Sequence, residues 1–228
     1  MKAIKLFSSV FVILSMILSS QEVQAQDESS SSFDVGADFY SNYIWRGSKF
    51  GTGPAVQPYL EFSTGNFAIG SWGSFGITDN EAAEADLYLS YSFDFGLSVG
   101  LTDYYYPGSS YFDYASGADG AHGFEVNLGY ELGSFSVGAN YMLNEAGVAG
   151  TAGGDMYFEL GYSFDSFDIF AGGGDGWHTS DGEFGICNIG IATSKDIEIT
   201  DSFTIPVSGA VILNPEQEQF YVVVGLSF

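Results

Sequence analysis

The feature that most constrains this chain is a side-chain period of two, repeated in segments of about ten residues. Four segments are clean. Leu87, Leu89, Tyr91 and Phe93 alternate with Asp86, Tyr88, Ser90 and Ser92. Phe124, Val126, Leu128, Tyr130 and Leu132 alternate with Glu125, Asn127, Gly129 and Glu131. Phe135, Val137, Ala139, Tyr141 and Leu143 alternate with Ser136, Gly138 and Asn140, and Met156, Phe158, Leu160, Tyr162 and Phe164 with Tyr157, Glu159, Gly161 and Ser163. Weaker candidates span 33–46, 54–64, 67–77, 96–106, 167–175, 184–193 and 202–213; with 219–228 the expected total is twelve strands.

The connections carry a second signal. Gly65-Asn66, Asp94-Phe95, Gly133-Ser134 and Asp165-Ser166 read as tight turns. Longer loops lie between them at 47–53, 78–84, 107–121, 144–154, 176–183 and 214–218. Short and long alternate, as in a membrane barrel with short periplasmic turns and longer extracellular loops. The segment 194–201 is long for a turn, so either a strand extends through it or the boundaries shift there. The last strand alternates Phe220, Val222, Val224, Leu226 and Phe228 with Tyr221, Val223, Gly225 and Ser227. Its terminal Phe228 is the expected assembly signal, read by barrel assembly machinery.

Residues 1–25 read as a signal peptide: Lys2 and Lys5 precede an apolar stretch from Leu6 to Leu18, and Val23-Gln24-Ala25 fits a cleavage site. Residues 26–32 form a polar leader expected to be disordered, and 33–228 the barrel. Cleavage leaves Arg46, Lys49 and Lys195 against 28 acids (29 less Glu22), a formal charge of −25. Such a surface repels nucleic acid and draws cations. The single Cys187 excludes an internal disulfide.

Alternation alone fits a soluble sandwich as well as a membrane barrel. The export signal, the terminal Phe and the acids on the polar face favour an antiparallel, all-β barrel in the outer membrane, in contact with lipid and lipopolysaccharide. Tyr40, Tyr43, Trp45, Tyr104, Tyr105 and Tyr106 sit near segment ends, where interfacial girdles would place them.

Several stretches resemble the TorF-type porin family of outer-membrane proteins. They are Ser41-Asn42-Tyr43-Ile44-Trp45-Arg46-Gly47, Pro54-Ala55-Val56-Gln57-Pro58, Glu84-Ala85-Asp86-Leu87-Tyr88-Leu89-Ser90-Tyr91, Thr102-Asp103-Tyr104-Tyr105-Tyr106-Pro107 and Asn214-Pro215 with the closing strand. The resemblance implies an outer-membrane barrel with a channel role and supplies no site residues.

From the residues themselves, Arg46 stands out as the only arginine. With 33–46 as one strand, Phe33, Val35, Ala37, Phe39, Tyr43 and Trp45 face lipid. Asp34, Asp38, Tyr40, Asn42 and Arg46 then face the lumen. Arg46 is expected to pair with Asp38, Glu61 or Asp86, as a brace or as a constriction charge. Asp34, Asp38, Glu61, Asp86, Glu125, Glu131 and Glu159 form an inward acidic set that favours cations, or that merely hydrates a polar interior. Asp79, Glu81, Glu84, Asp113, Asp119, Asp175 and Asp181 are loop acids able to coordinate divalent cations near lipopolysaccharide, though their spacing matches no calcium loop. Gly172-Gly173-Gly174-Asp175-Gly176 matches one fragment of a calcium-binding repeat but occurs once, and reads as flexible loop.

The only histidines are His122, beside loop 107–121 with Ser109, Ser110, Ser116 and Asp119, and His178, near Ser180 and Asp181. No nucleophile signature surrounds either, so no catalysis and no cofactor are expected. The leading expectation is a small channel for ions or small polar solutes with cation bias, with loop 107–121 long enough to fold over the mouth. The alternatives are a closed barrel acting through its loops as an adhesin, receptor or envelope brace, and a barrel lipid hydrolase.

Overall fold

A computed structural model describes residues 31–78, 83–201 and 203–228. The expected signal peptide, 1–25, and most of the expected leader lie outside these. The described residues form β1 (Ser31–Tyr40), β2 (Tyr43–Trp45), β3 (Ser48–Phe50), β4 (Ala55–Thr64), β5 (Phe67–Gly76), β6 (Ala83–Ser92) and β7 (Leu97–Tyr105). They continue with β8 (His122–Leu132), β9 (Phe135–Met142), β10 (Met156–Ser163), β11 (Asp168–Gly174), β12 (Gly185–Thr200), β13 (Phe203–Asn214) and β14 (Gln219–Ser227). One turn of 3-10 helix covers Gly176–His178.

Twelve of these strands close into an antiparallel barrel in the order β1-β14-β13-β12-β11-β10-β9-β8-β7-β6-β5-β4. Closure is made by β1, which pairs with β4 along its length and with β14 through Asp38↔Ser227, Phe39↔Leu226 and Tyr40↔Gly225. A closed sheet satisfies its backbone groups internally, which is what lets strands cross an apolar solvent. The expected all-β barrel of twelve strands is the fold.

Alternation sorts the two surfaces. Val35, Leu60, Ile69, Leu89, Leu128, Val137, Leu160, Ile189, Val211 and Val222 point outward and are exposed. Asp38, Gln57, Asp86, Thr102, Glu125, Glu159, Asn188 and Ser208 point inward and are buried. Connections 65–66, 93–96, 133–134 and 164–167 lie at one end and the longer ones among the described residues at the other, as expected.

Two boundaries differ from the sequence reading. Segment 194–201 is strand: Ser194–Glu198 pair residue by residue with Ser208–Thr204, so β12 and β13 overhang β11, whose first residue Asp168 pairs with Ala192. Ser31 and Ser32, expected in the leader, pair with Thr64 and Ser63 in β1.

The larger correction concerns 33–46, which is not one strand. Beyond Tyr40 the chain leaves the wall, held at the exit by Ser41, whose N–H donates to the Val224 carbonyl (2.9 Å) and whose Oγ accepts from the Val224 N–H (3.0 Å). β2 and β3 then form a separate hairpin that folds inward, and Tyr43, Ile44 and Trp45 are buried. Its two faces engage opposite walls. Ile44 joins Phe170, Ala192, Ala210, Ile212 and Val223; Tyr43 and Trp45 join Ala55, Tyr104 and Met142. Burying a side chain of this kind contributes about 1.5–3 kcal/mol.

Candidate functional site in the plugged lumen

The hairpin turns on Arg46 and Gly47, both in the left-handed region, with φ of 49° and 82°. Positive φ at both central residues matches the type I′ turn, whose twist suits a two-residue hairpin. Glycine is required at 47, because a Cβ there would fall 1.8 Å from the Cys187 carbonyl oxygen on β12. The Gly47 carbonyl accepts from Asn214 Nδ2 (3.0 Å), seating the tip against β13. Arginine at 46 is a strained choice, costing about 1–2 kcal/mol. What it gains is a place at the barrel centre.

There the guanidinium makes a bidentate pair with Glu125 on β8: Nη1 to Oε1 at 2.7 Å and Nη2 to Oε2 at 2.8 Å. Arg46 is 2% exposed and Glu125 1%. Tyr104 Oη (3.0 Å) and Asn127 Nδ2 (2.7 Å) donate to the same carboxylate. The guanidinium carbon lies 4.6 Å from the ring centres of both Trp45 and Tyr157. Charge and aromatic faces are thus matched around one buried cation, with Nε alone of its nitrogens left without a hydrogen-bond partner, an arrangement in which a pair survives desolvation.

His178 closes the cluster from above. Its Nε2 accepts from Trp177 Nε1 (2.9 Å) and faces Arg46 Nη1 at 3.4 Å. An acceptor at Nε2 puts the proton on Nδ1, so the ring is neutral. Burial, then the adjacent Arg46 charge, pushes this loop imidazole from its ordinary 6.5 down to about 2.

The sequence points to Asp38, Glu61 and Asp86 as partners of Arg46. The structure pairs it with Glu125 instead, because the hairpin carries it across the lumen rather than along β1. The inward acids do not form one ring. Asp34 stands opposite Glu61 in the β1–β4 register, and Tyr88 Oη donates to Glu61 (2.9 Å), towards the short-turn end. Asp38 is buried higher on β1, and Glu131 is exposed at the lower end of β8. Glu159 accepts from Tyr157 Oη (2.6 Å) and Asn188 Nδ2 (3.0 Å). Asp86 lies in the upper half of the barrel beside Glu84, itself on the inner face of β6 and not in a loop. Tyr43, Trp45 and Tyr104 line the interior and form no girdle. Sequence reasoning missed Tyr104, Tyr157, Trp177, His178 and Asn188 as contributors. Of these, Tyr157 and Asn188 lie on the polar faces of their strands, and Tyr157, within a clean alternating segment, left the clearer periodic signal.

His122 lies on the outer face. Its Nδ1 is 2.8 Å from Asp103 Oδ1 and its Nε2 is 2.6 Å from the Tyr111 carbonyl, with Tyr105 and Tyr114 stacked against the ring. With both ring nitrogens facing oxygen atoms, the ring is a clamp. It holds loop 107–121 to the outer wall, where Gly117 and Gly120 also bond loop 144–155. The mouth is covered by the inward hairpin, not by this loop. His178 touches neither Ser180 nor Asp181; Ser180 bonds Glu216. Gly172–Gly174 belong to β11, where a Cβ on Gly172 would strike the Tyr157 hydroxyl, so these glycines serve packing. Among the described residues no three His, Cys, Asp or Glu side chains gather as a metal cluster. Asp79 and Glu81 lie outside those residues.

No family model matches the chain, and neither does any curated protein. Among solved structures it is similar to the Rhodopseudomonas blastica porin triple mutant (15% identity, TM-score 0.39), over 76% of this chain and 55% of that one. The chain therefore spans about half the length of the porins it matches. It is also similar to an active-site mutant of the outer membrane phospholipase A of Escherichia coli (13%, TM-score 0.42, 90% and 93% covered). The Salmonella typhi phospholipase dimer with bound calcium gives 14% and 0.41, with 85% and 88% covered.

Proposed function

We propose that this chain is an outer-membrane barrel, a small channel for cations or small polar solutes, that rests in a closed form. The outward apolar surface calls for lipid as solvent, and a closed barrel is one of the two structures that can span it. The lower lumen carries Asp34, Glu61 and Glu131, which favour cations over anions. The observation that carries the closed form is the buried β2–β3 hairpin, held by the Arg46–Glu125 pair. In this reading the chain groups with the TorF-type porins, whose Ser41–Gly47 stretch here supplies the inner limb and turn of the plug. Outer-membrane lipid, lipopolysaccharide and the barrel assembly machinery, acting on Phe228, are its partners.

The interlocked side chains across the upper lumen favour one second reading: a barrel that never opens and acts through its loops. A lipid hydrolase would need a histidine nitrogen free to take a serine proton. Both nitrogens of His122 are engaged, by Asp103 and by the Tyr111 carbonyl, which supports a role other than catalysis.

Single-channel recording on refolded 26–228 under a salt gradient tests the proposal. Rare or small cation-selective steps in the wild type, becoming frequent in Arg46→Ala, are expected. Silence in both, from barrels that remain folded, would move the assignment to the closed reading.

A further inference from the structure

The upper lumen has more buried acid than buried base. Glu84, Asp86, Glu125 and Glu159 are all under 10% exposed, and Arg46 is the one buried cation among the described residues that faces them. Arg46 is committed to Glu125, and Glu159 is served by Tyr157 and Asn188. Lys49 is exposed and bonds the Thr52 carbonyl. His178 is neutral, and His122 lies on the other side of the wall.

Glu84 and Asp86 are left without compensation. They are 3% and 2% exposed, two residues apart on the inner face of β6. Glu84 Oε2 and both oxygens of Asp86 have no hydrogen-bond partner. The two carboxylates face each other and the Tyr105 N–H faces Asp86, each out of bonding geometry. An independent element aims into the same spot: Tyr43, on the hairpin, is 8% exposed and faces both carboxylates, its hydroxyl directed at Glu84 but out of bonding geometry. Tyr104 and Tyr106 stand around the pair. A buried phenol beside two bare carboxylates, all with open valences, is a set of donors without an acceptor of charge.

We propose that Glu84, Asp86 and the Tyr43 hydroxyl bind one divalent hard cation of the calcium or magnesium class. Two carboxylates supply the matching charge of two, and all the donors are oxygen, the ligand type such ions take. Because Tyr43 rides on the hairpin and the acids on the wall, the ion clips the plug to β6. It does so on the side away from Ile44, which packs against β11–β14. Binding does not depend on whether the barrel conducts.

The test is calorimetric titration of Ca2+, then Mg2+, into the refolded 26–228 barrel in detergent after chelator treatment, with thermal unfolding alongside. Saturable binding is expected, raising the unfolding midpoint on the order of 5–10 °C at a hundredfold excess over Kd. Glu84→Gln with Asp86→Asn should abolish it, Tyr43→Phe should weaken it several-fold, and Asp113→Asn in a distant loop should leave it intact. Absence of binding of either ion to the wild type overturns the proposal whatever the variants do. So does unchanged binding in the double variant. A metal-independent infrared band of a protonated carboxyl, lost in Asp86→Asn, would identify a shared proton as the occupant and likewise overturn it.

Discussion

Removing Arg46 separates the charge of the plug from its backbone. In Arg46→Ala, Glu125 stays 1% exposed and loses both guanidinium bonds, keeping only Tyr104 and Asn127 as donors. Breaking a buried pair from one side costs about 3–5 kcal/mol. The lost contacts with Trp45 and Tyr157 act in the same direction. Alanine keeps a Cβ at φ 49°, so the turn strain is not relieved. Arg46→Gly removes the same charge and also the strain, and should be less destabilised than Arg46→Ala by about 1–2 kcal/mol. Glu125→Gln orphans the cation instead and should cost a similar 3–5 kcal/mol. The double variant Arg46→Ala/Glu125→Gln should be more stable than the sum of the singles by up to ~3 kcal/mol. Reversible denaturant unfolding of the refolded barrel reads this cycle, with Trp45 and Trp177 as reporters within the cluster. Additivity within about 0.5 kcal/mol would refute the idea that this pair holds the plug. Equal stability of the Ala and Gly variants would refute the strain assignment.

Three further outcomes follow from the same geometry. His178 is held neutral in the folded barrel, while the unfolded chain binds its proton below pH 6.5. Stability therefore falls as pH drops through 6.5, by about 1.4 kcal/mol per unit, or about 2 kcal/mol by pH 5; the difference between wild type and His178→Gln across that window measures it, and parallel curves would rule it out. Gly47→Ala drives a Cβ into the Cys187 carbonyl, so the tip cannot seat. The variant should conduct more readily and expose Trp45 to aqueous quenchers, while unchanged quenching would show that the tip tolerates a side chain. His122→Ala removes the donor to Tyr111 and should speed proteolytic cleavage within 107–121 without changing barrel heat-modifiability, which a gel assay resolves.

The wall was legible because a strand's period is two and each register position must choose the outer face or the lumen. The segment centred on Glu125 shows this: its alternation predicts which residues face in, and the structure agrees. The hairpin was not legible for the same reason. Tyr43 and Trp45 keep the phase of Phe33–Phe39, so the sequence continues smoothly through a point where the chain leaves the wall. Alternation reports that two faces meet different surroundings, not which surroundings those are. Here both faces of β2 meet protein, Ile44 on one wall and Trp45 on the other. The one local hint was Arg46-Gly47, since a glycine after a residue tolerating positive φ is a hairpin turn signal. Arg46's partner lies 79 residues away and follows only from closure of the barrel.

Height within the barrel decides what each lumenal acid can do. Asp34, Glu61 and Glu131 lie near the short turns, at least partly exposed, with Asp196 and Glu198 on the overhanging hairpin beyond them. In the proposed channel these water-screened acids would gather cations at the lower mouth without binding any one tightly. Glu125 and Glu159 sit in the dry upper half with their donors fixed, so their charge is spent on holding Arg46, Tyr157 and Asn188 in place. An ion entering the proposed channel from below meets a barrier made of desolvation rather than of like charge, because the Arg46–Glu125 cluster offers it only committed ligands. Neutralising the lower acids should therefore change which ions gather, whereas loosening Arg46 changes whether any of them pass.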